Sequence, residues 1–317
     1  MEALNFDLVK RFISDENLPI QLIRREDYFN YVLDLFENMF SSKTKWTEWC
    51  NIIDTKYNGN PEAYLADFYN IREQVIQDTK NKPEYIEFNN CDMNGYSVPD
   101  IKNISTSDIY KGNNSGKCYL SLDLKKANYQ ALKKVGVMTE PTYVDWLKNW
   151  TQLPHLLSSK YLRVVIFGQL NPKRQITVEK FITAQIYRHI VNNNLLDVAN
   201  IVSFRNDELI WELSSPIEET ALDKLRESVS GLGYKFTTDM FILRAYRLVP
   251  KACGKSLLFF MKEYLDGRPG TLHCVPSQYM PIVLKTLEGK PIEEMDTWLE
   301  HDGMLCKLLG EYDLIKL

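Results

Sequence analysis

Between residues 118 and 248 the hydrophobic pattern changes period in a fixed order, and few architectures accommodate that order. Residues 118–122 alternate as a strand that ends in Asp123, and 127–135 follow with helical spacing. Helices are predicted at 146–150 and 158–167. Pro172 opens a long amphipathic helix to about Val191, with Ile176, Phe181, Ile182, Ile186 and Ile190 spaced for one buried face. Residues 199–204 and 208–213 read as strands around the tight turn Arg205-Asn206-Asp207. A helix at 216–230 closes on Gly231 and Gly233, and 241–248 is a last strand. Strand, helices, hairpin, helix, strand is a split β-α-β-β-α-β arrangement. The expected class is α+β, an antiparallel sheet with helices on one face.

The flanks are expected to differ from this core. Residues 1–117 read as mainly helical, with runs at 26–40, 45–54 and 62–79. The last begins at Asn60-Pro61 and stops at Pro83. A short strand pair is predicted over 85–98 around Met93-Asn94-Gly95, then a polar loop over 102–116. Residues 249–317 read as a small α/β appendage, thumb-like or partner-binding. It has a hairpin around Asp266-Gly267-Arg268-Pro269-Gly270, a helix at 277–287 and a strand pair over 296–309.

Composition removes several classes. With 44% hydrophobic and 25% charged residues in 317, the chain can bury a sizeable core, and 14 Gly and 13 Pro are too few for low-complexity sequence. No apolar run approaches the roughly 20 residues that span a bilayer, so no membrane partner is expected. The opening MEALNFDLVKRF has no apolar signal region, and Cys50, Cys91, Cys118, Cys253, Cys274 and Cys306 form no CxxC. Free thiols in a reducing, cytoplasmic setting are the expectation, and no zinc site. Charge is unevenly spread: residues 111–190 carry 13 Lys/Arg against 4 Asp/Glu, whereas the rest carry 25 against 38. A basic middle between acidic ends predicts a polyanion-facing surface in that segment.

Two acidic positions stand out within this order. Asp123 ends the first strand, and Asp207 and Glu208 occupy the hairpin turn. In a split β-α-β-β-α-β sheet the first strand lies beside the hairpin, so these carboxylates are expected to converge. Alone, Asp207 would be a turn former and Asp123 a strand-end residue. Together they offer hard oxygen ligands for Mg²⁺ or Mn²⁺, which support in-line phosphoryl displacement. Lys173 and Arg174, at the helix start Asn171-Pro172-Lys173-Arg174-Gln175, are candidate phosphate ligands. Lys160 and Arg163, sharing a helical face, are two more.

On these residues the chain resembles palm-domain nucleic acid polymerases. The segment SLDLKKANYQAL, with Asp123, is similar to motif A of reverse transcriptases, and FRNDELIW is similar to their motif C turn. The helix 216–230 followed by GLGYKF resembles motif D and points to Lys235. RVVIFG at 163–168 resembles the fingers helix of family A DNA polymerases, whose Asp-Glu pair matches Asp207-Glu208. Asn206 stands where the reverse-transcriptase doublet has its first Asp, and the motif B Gln-Gly is absent. The resemblance places Asn128 where those enzymes gate the 2′-hydroxyl, or Tyr129 if the register is one residue off.

The resemblance implies a palm-like core with catalytic, metal-holding Asp123, Asp207 and Glu208. It implies template-directed nucleotidyl transfer by a compact enzyme that takes nucleoside triphosphates and holds template and primer along 111–190. Flanking regions or partner subunits would supply fingers and thumb. Two alternatives remain at this stage: an inactive palm-derived scaffold subunit of a replication or transcription complex, and a nucleotide cyclase, since RNDELIWEL resembles the GGDEF turn.

Overall fold

A computed structural model describes residues 5–101, 104–196, 200–251, 254–308 and 310–317. The expected loop start at Lys102, strand start at Ala199, Cys253 and strand end at Leu309 lie outside the described residues. The described N-terminal residues carry helices and no strand: α1 (Phe6–Asp15), α2 (Glu26–Leu35), α3 (Glu37–Phe40), α4 (Ser42–Tyr57), α5 (Pro61–Lys80) and α6 (Pro83–Asn90). Helix α5 starts where expected because the Asn60 side chain accepts from the amides of Glu62 and Ala63, with Pro61 in the first turn. The strand pair expected over 85–98 is not present. Pro83 opens α6, where a missing N–H costs nothing, and Tyr85 and Phe88 are buried at helical spacing. Met93-Asn94-Gly95 leads into a single 3₁₀ turn at Asn94–Tyr96.

The central succession is β1 (Cys118–Leu124), α7 (Ala127–Lys134), α8 (Tyr143–Leu147), α9 (Pro154–Ser158), α10 (Lys160–Gly168), α11 (Pro172–Asn192), β2 (Ile201–Phe204), β3 (Glu208–Leu213), α12 (Glu219–Ser230) and β4 (Phe236–Pro250). The helix expected over 158–167 is α10 and begins two residues later, because Ser159 leaves helical geometry and caps it through the Leu162 amide. Beyond it lie β5 (Leu257–Tyr264), β6 (Thr271–His273), α13 (Met280–Leu287), β7 (Trp298–His301), β8 (Met304–Lys307) and β9 (Tyr312–Lys316). No described helix is long and apolar enough to cross a membrane.

The sheet runs β2-β3-β1-β4-β5-β6, antiparallel at every pairing, with β9 also on β4. This is the split β-α-β-β-α-β connectivity. Residues 249–317 do more than append to it: β4 is 15 residues long, and its distal half carries β5 and β9 into the same sheet. Period-two alternation gives the sheet two unlike faces. Leu120, Leu122, Leu124, Leu209 and Trp211 point to the helices, packing with Leu132, Ile166, Ile182 and Val229. Ile176 is an exception to the expected buried stripe of α11, being 42% exposed at its first turn. Tyr119, Ile210, Phe241, Leu243, Ala245 and Phe260 form a smaller cluster on the opposite face.

Candidate active site

Asp123 belongs to that opposite face with Ser121 and Tyr119, two and four residues before it. Its register partners are Glu208 on β3 and Thr237 on β4, while Ser121 stands across from Asp239. Directly opposed residues of an antiparallel pair have Cβ atoms roughly 5 Å apart. The Leu124 amide donates to the Asp207 carbonyl at 2.8 Å, which ties the hairpin turn to the end of β1. The turn is closed by the Arg205 amide on the Glu208 carbonyl at 2.8 Å, and Thr183 of α11 donates its hydroxyl to the Asn206 carbonyl at 2.7 Å. Asp123, Asp207 and Glu208 are thus brought to one end of the sheet.

Their electrostatics are unequal. Glu208 accepts from the Ser121 hydroxyl at 2.7 Å and lies 4.0 Å from the Lys262 ammonium. Asp239 pairs with Arg268. Burial pushes the Asp123 carboxyl up to about 7, with repulsion from Asp207, Glu208 and Asp239 adding to it and Lys262 opposing. Glu179 of α11 is 4% exposed, and its Oε1 has no hydrogen-bond partner. Burial, then the Asp207 charge, raises it to about 7 as well.

Beside Asp123 opens a cavity of about 330 Å³, whose lining includes Lys125, Lys126, Lys133, Arg163 and Lys235. Local geometry gathers these cations. Lys126 takes a left-handed backbone (φ 51°) ahead of α7. The Gln130 amide nitrogen donates to the carbonyls of Lys125 and Lys235, both at 2.6 Å, and its oxygen accepts from the Lys235 amide at 2.9 Å. Burial holds the Lys126 ammonium below its usual range, with repulsion from Arg163 and Lys235 adding to this. The Arg163 Nε is buried without a partner. Five cations around one concavity favour a polyanionic group, and Asp123 is part of the same lining.

Of the candidate phosphate ligands, Arg163 and Lys235 line this cavity. Lys160 and Lys173 are exposed and outside the cavity lining. The start of α11 turns toward α6: Asn171 donates to Asn89 at 2.9 Å, and the Arg174 guanidinium donates to the Cys91 carbonyl. Arg174 is thus taken up by a packing contact. Tyr129, rather than Asn128, lines the cavity, and its hydroxyl donates to the Glu140 carbonyl at 2.7 Å.

Lys125, Lys126, Lys133, Glu179 and Lys262 escape sequence reasoning. A signal existed for two of them. Glu179 interrupts the apolar stripe of α11, and Lys262 shares a strand face with buried Phe260. Among the described residues, no cluster of three or more His, Cys, Asp or Glu side chains could hold a metal ion by itself. No family model, curated protein or solved structure matches this chain, so its function has to be read from the geometry above.

Proposed function

We propose that the chain is a metal-dependent nucleotidyltransferase that extends a nucleic acid strand on a template. One observation carries the reading: Asp123 and Asp207 meet at the end of a split β-α-β-β-α-β sheet, directly beside a cavity lined by five cations. A triphosphate in that cavity would present its reacting phosphorus to the carboxylates.

The acids fit Mg²⁺ or Mn²⁺. Mg²⁺ is commonly bound by one or two carboxylates, with substrate phosphates and water completing its shell. Burial is the main reason Asp123 is raised to about 7, and the repulsion from Asp207, Glu208 and Asp239 that adds to it is what a divalent cation would relieve. When bound, the ion lowers the pKa of an attacking 3′-hydroxyl and neutralises triphosphate charge. Lys126, Arg163 and Lys235 orient the triphosphate and stabilise the charge that passes to the leaving pyrophosphate. Tyr129, anchored on Glu140, walls the cavity where the sugar of an incoming nucleotide would lie. The basic segment 111–190 supplies cations for template and primer phosphates.

Two features favour a second reading, a palm-derived subunit that binds nucleotide or nucleic acid without transfer. Asn206 sits at the hairpin turn, and among the described residues no group of three or more His, Cys, Asp or Glu side chains is arranged to hold a metal ion. Primer extension separates the two readings. DNA and RNA templates, both nucleotide sets and Mg²⁺ or Mn²⁺ are supplied, with Asp123→Asn and Asp207→Asn alongside. Extension that both substitutions abolish is expected. Nucleotide binding with no extension under any combination favours the second reading.

A further inference from the structure

Four carboxylates crowd the end of the sheet, and the fold treats them in two ways. Asp239 has Arg268 as its ion partner, and that guanidinium also lies 3.7 Å over the Tyr264 ring. Glu208 has Lys262, an ammonium-bearing residue only 8% exposed. Among the described residues, neither Asp123 nor Asp207 forms an ion pair with a Lys or Arg.

Lys262 is placed by the C-terminal segment. It lies on β5 opposite Leu243, and its ammonium sits 4.4 Å over the Phe241 ring. A cation this buried needs an anion, and Glu208 supplies it at 4.0 Å. The same carboxylate oxygen accepts the Ser121 hydroxyl at 2.7 Å, so one contact from β1 and one from β5 converge on Oε1. Glu208 is therefore drawn inward across the sheet face.

We propose that Lys262 is the resident counter-cation of Glu208, so that the two act as a neutral pair while Asp123 and Asp207 take the divalent cation. The proposal rests on the nucleotidyl-transfer reading and sharpens it, because it removes one of the three acids from the cation's ligand set. Lys262 and Glu208 are then positioning residues. Their joint presence keeps the local charge at the level set by the two aspartates.

The test is a double-mutant cycle read by Mn²⁺ binding to the free protein, using electron paramagnetic resonance titration, with thermal melts to confirm folding. Lys262→Met is expected to tighten Mn²⁺ binding about threefold to tenfold, and Glu208→Gln to weaken it by a similar factor, the scale of one partly screened charge. Removing both together should return the affinity to within about twofold of the parent, since a neutral pair has been exchanged for neutral side chains. A double variant that binds Mn²⁺ about tenfold or more weakly overturns the proposal, because Glu208 would then be a ligand. Should that variant not fold, Lys262→Gln with Glu208→Gln keeps polar groups at both positions and is read by the same criterion. Asp123→Asn and Asp207→Asn run in parallel. Mn²⁺ binding unchanged in both would overturn the metal-site reading itself, whereas their loss of binding beside a weakened double variant would overturn this inference alone.

Discussion

Asp123 and Glu179 each hold a proton to about pH 7, about three units above an ordinary carboxylate for Asp123 and somewhat less for Glu179. The folded chain thus binds more protons than the unfolded chain between the ordinary carboxylate range and about 7. Their contribution to stability is full below the unfolded pKa and is lost as pH rises through the folded one. Asp123→Asn and Glu179→Gln should each stabilise the protein at pH 8 by on the order of 1–2 kcal/mol, after allowance for solvent screening at the partly exposed site. Urea unfolding at pH 5 and pH 8 checks this, and a gain equal at both pH values would contradict it. The cavity makes a second residue-scale prediction. Arg163→Ala or Lys235→Ala should weaken nucleoside triphosphate binding by about tenfold, and monophosphate binding far less, because fewer phosphate charges meet the cations. Calorimetric titration with both ligands measures the contrast. Asp123 and Asp207 were legible in the sequence because strand end and hairpin turn fix their places. Lys262 and Glu179 were not, because a charge inside an apolar pattern does not say which partner it meets.

Among the elements, those whose period is unbroken were the legible ones. The order from β1 to β4 follows from alternation in the strands and helical spacing in α7, α11 and α12, and it placed the hairpin beside β1. Boundaries failed where tertiary contacts decide them. β4 begins five residues before its expected start, because 236–240 pair with β1 despite lacking strong alternation. α6 differs from the strand expected there because it is eight residues long and its Tyr85 and Phe88 suit either period. β9 was missed because its partner residues, Tyr246 to Pro250, are distant in sequence. The turn joining β1 to α7 is held by the Lys125 amide on the Lys235 carbonyl at 2.9 Å and reinforced by one side chain. Gln130 makes three hydrogen bonds that lock Lys125 against Lys235. Gln130→Ala should cost about 1–3 kcal/mol in a thermal melt. It should also weaken triphosphate binding, since the cations it aligns would spread. A variant that loses stability but binds triphosphate as the parent does would show that the lysines find their places without it.

At the scale of the molecule, the two ends of the chain are joined. The N-terminal cluster that contains Phe12, Phe29 and Trp49 also takes in Met280, Leu284 and Trp298 from the C-terminal segment. Trp298 stacks on Tyr28 at 6.1 Å, and Arg25 lies 4.7 Å from its ring. Asp296, fully buried, accepts the Tyr31 hydroxyl at 2.7 Å and the Glu293 amide at 2.7 Å. Because β5 and β9 also extend the sheet, the C-terminal segment is shared between the helical cluster and the sheet. Helix and sheet should therefore unfold together. Tyr31→Phe leaves the buried Asp296 carboxylate with one donor fewer, at a cost of about 1–3 kcal/mol. It should shift the whole transition, with tryptophan fluorescence and far-ultraviolet circular dichroism moving by the same amount. Separate midpoints for the two probes would mean that the helical region and the sheet are independent units, and that the link through Asp296 and Trp298 does not couple them.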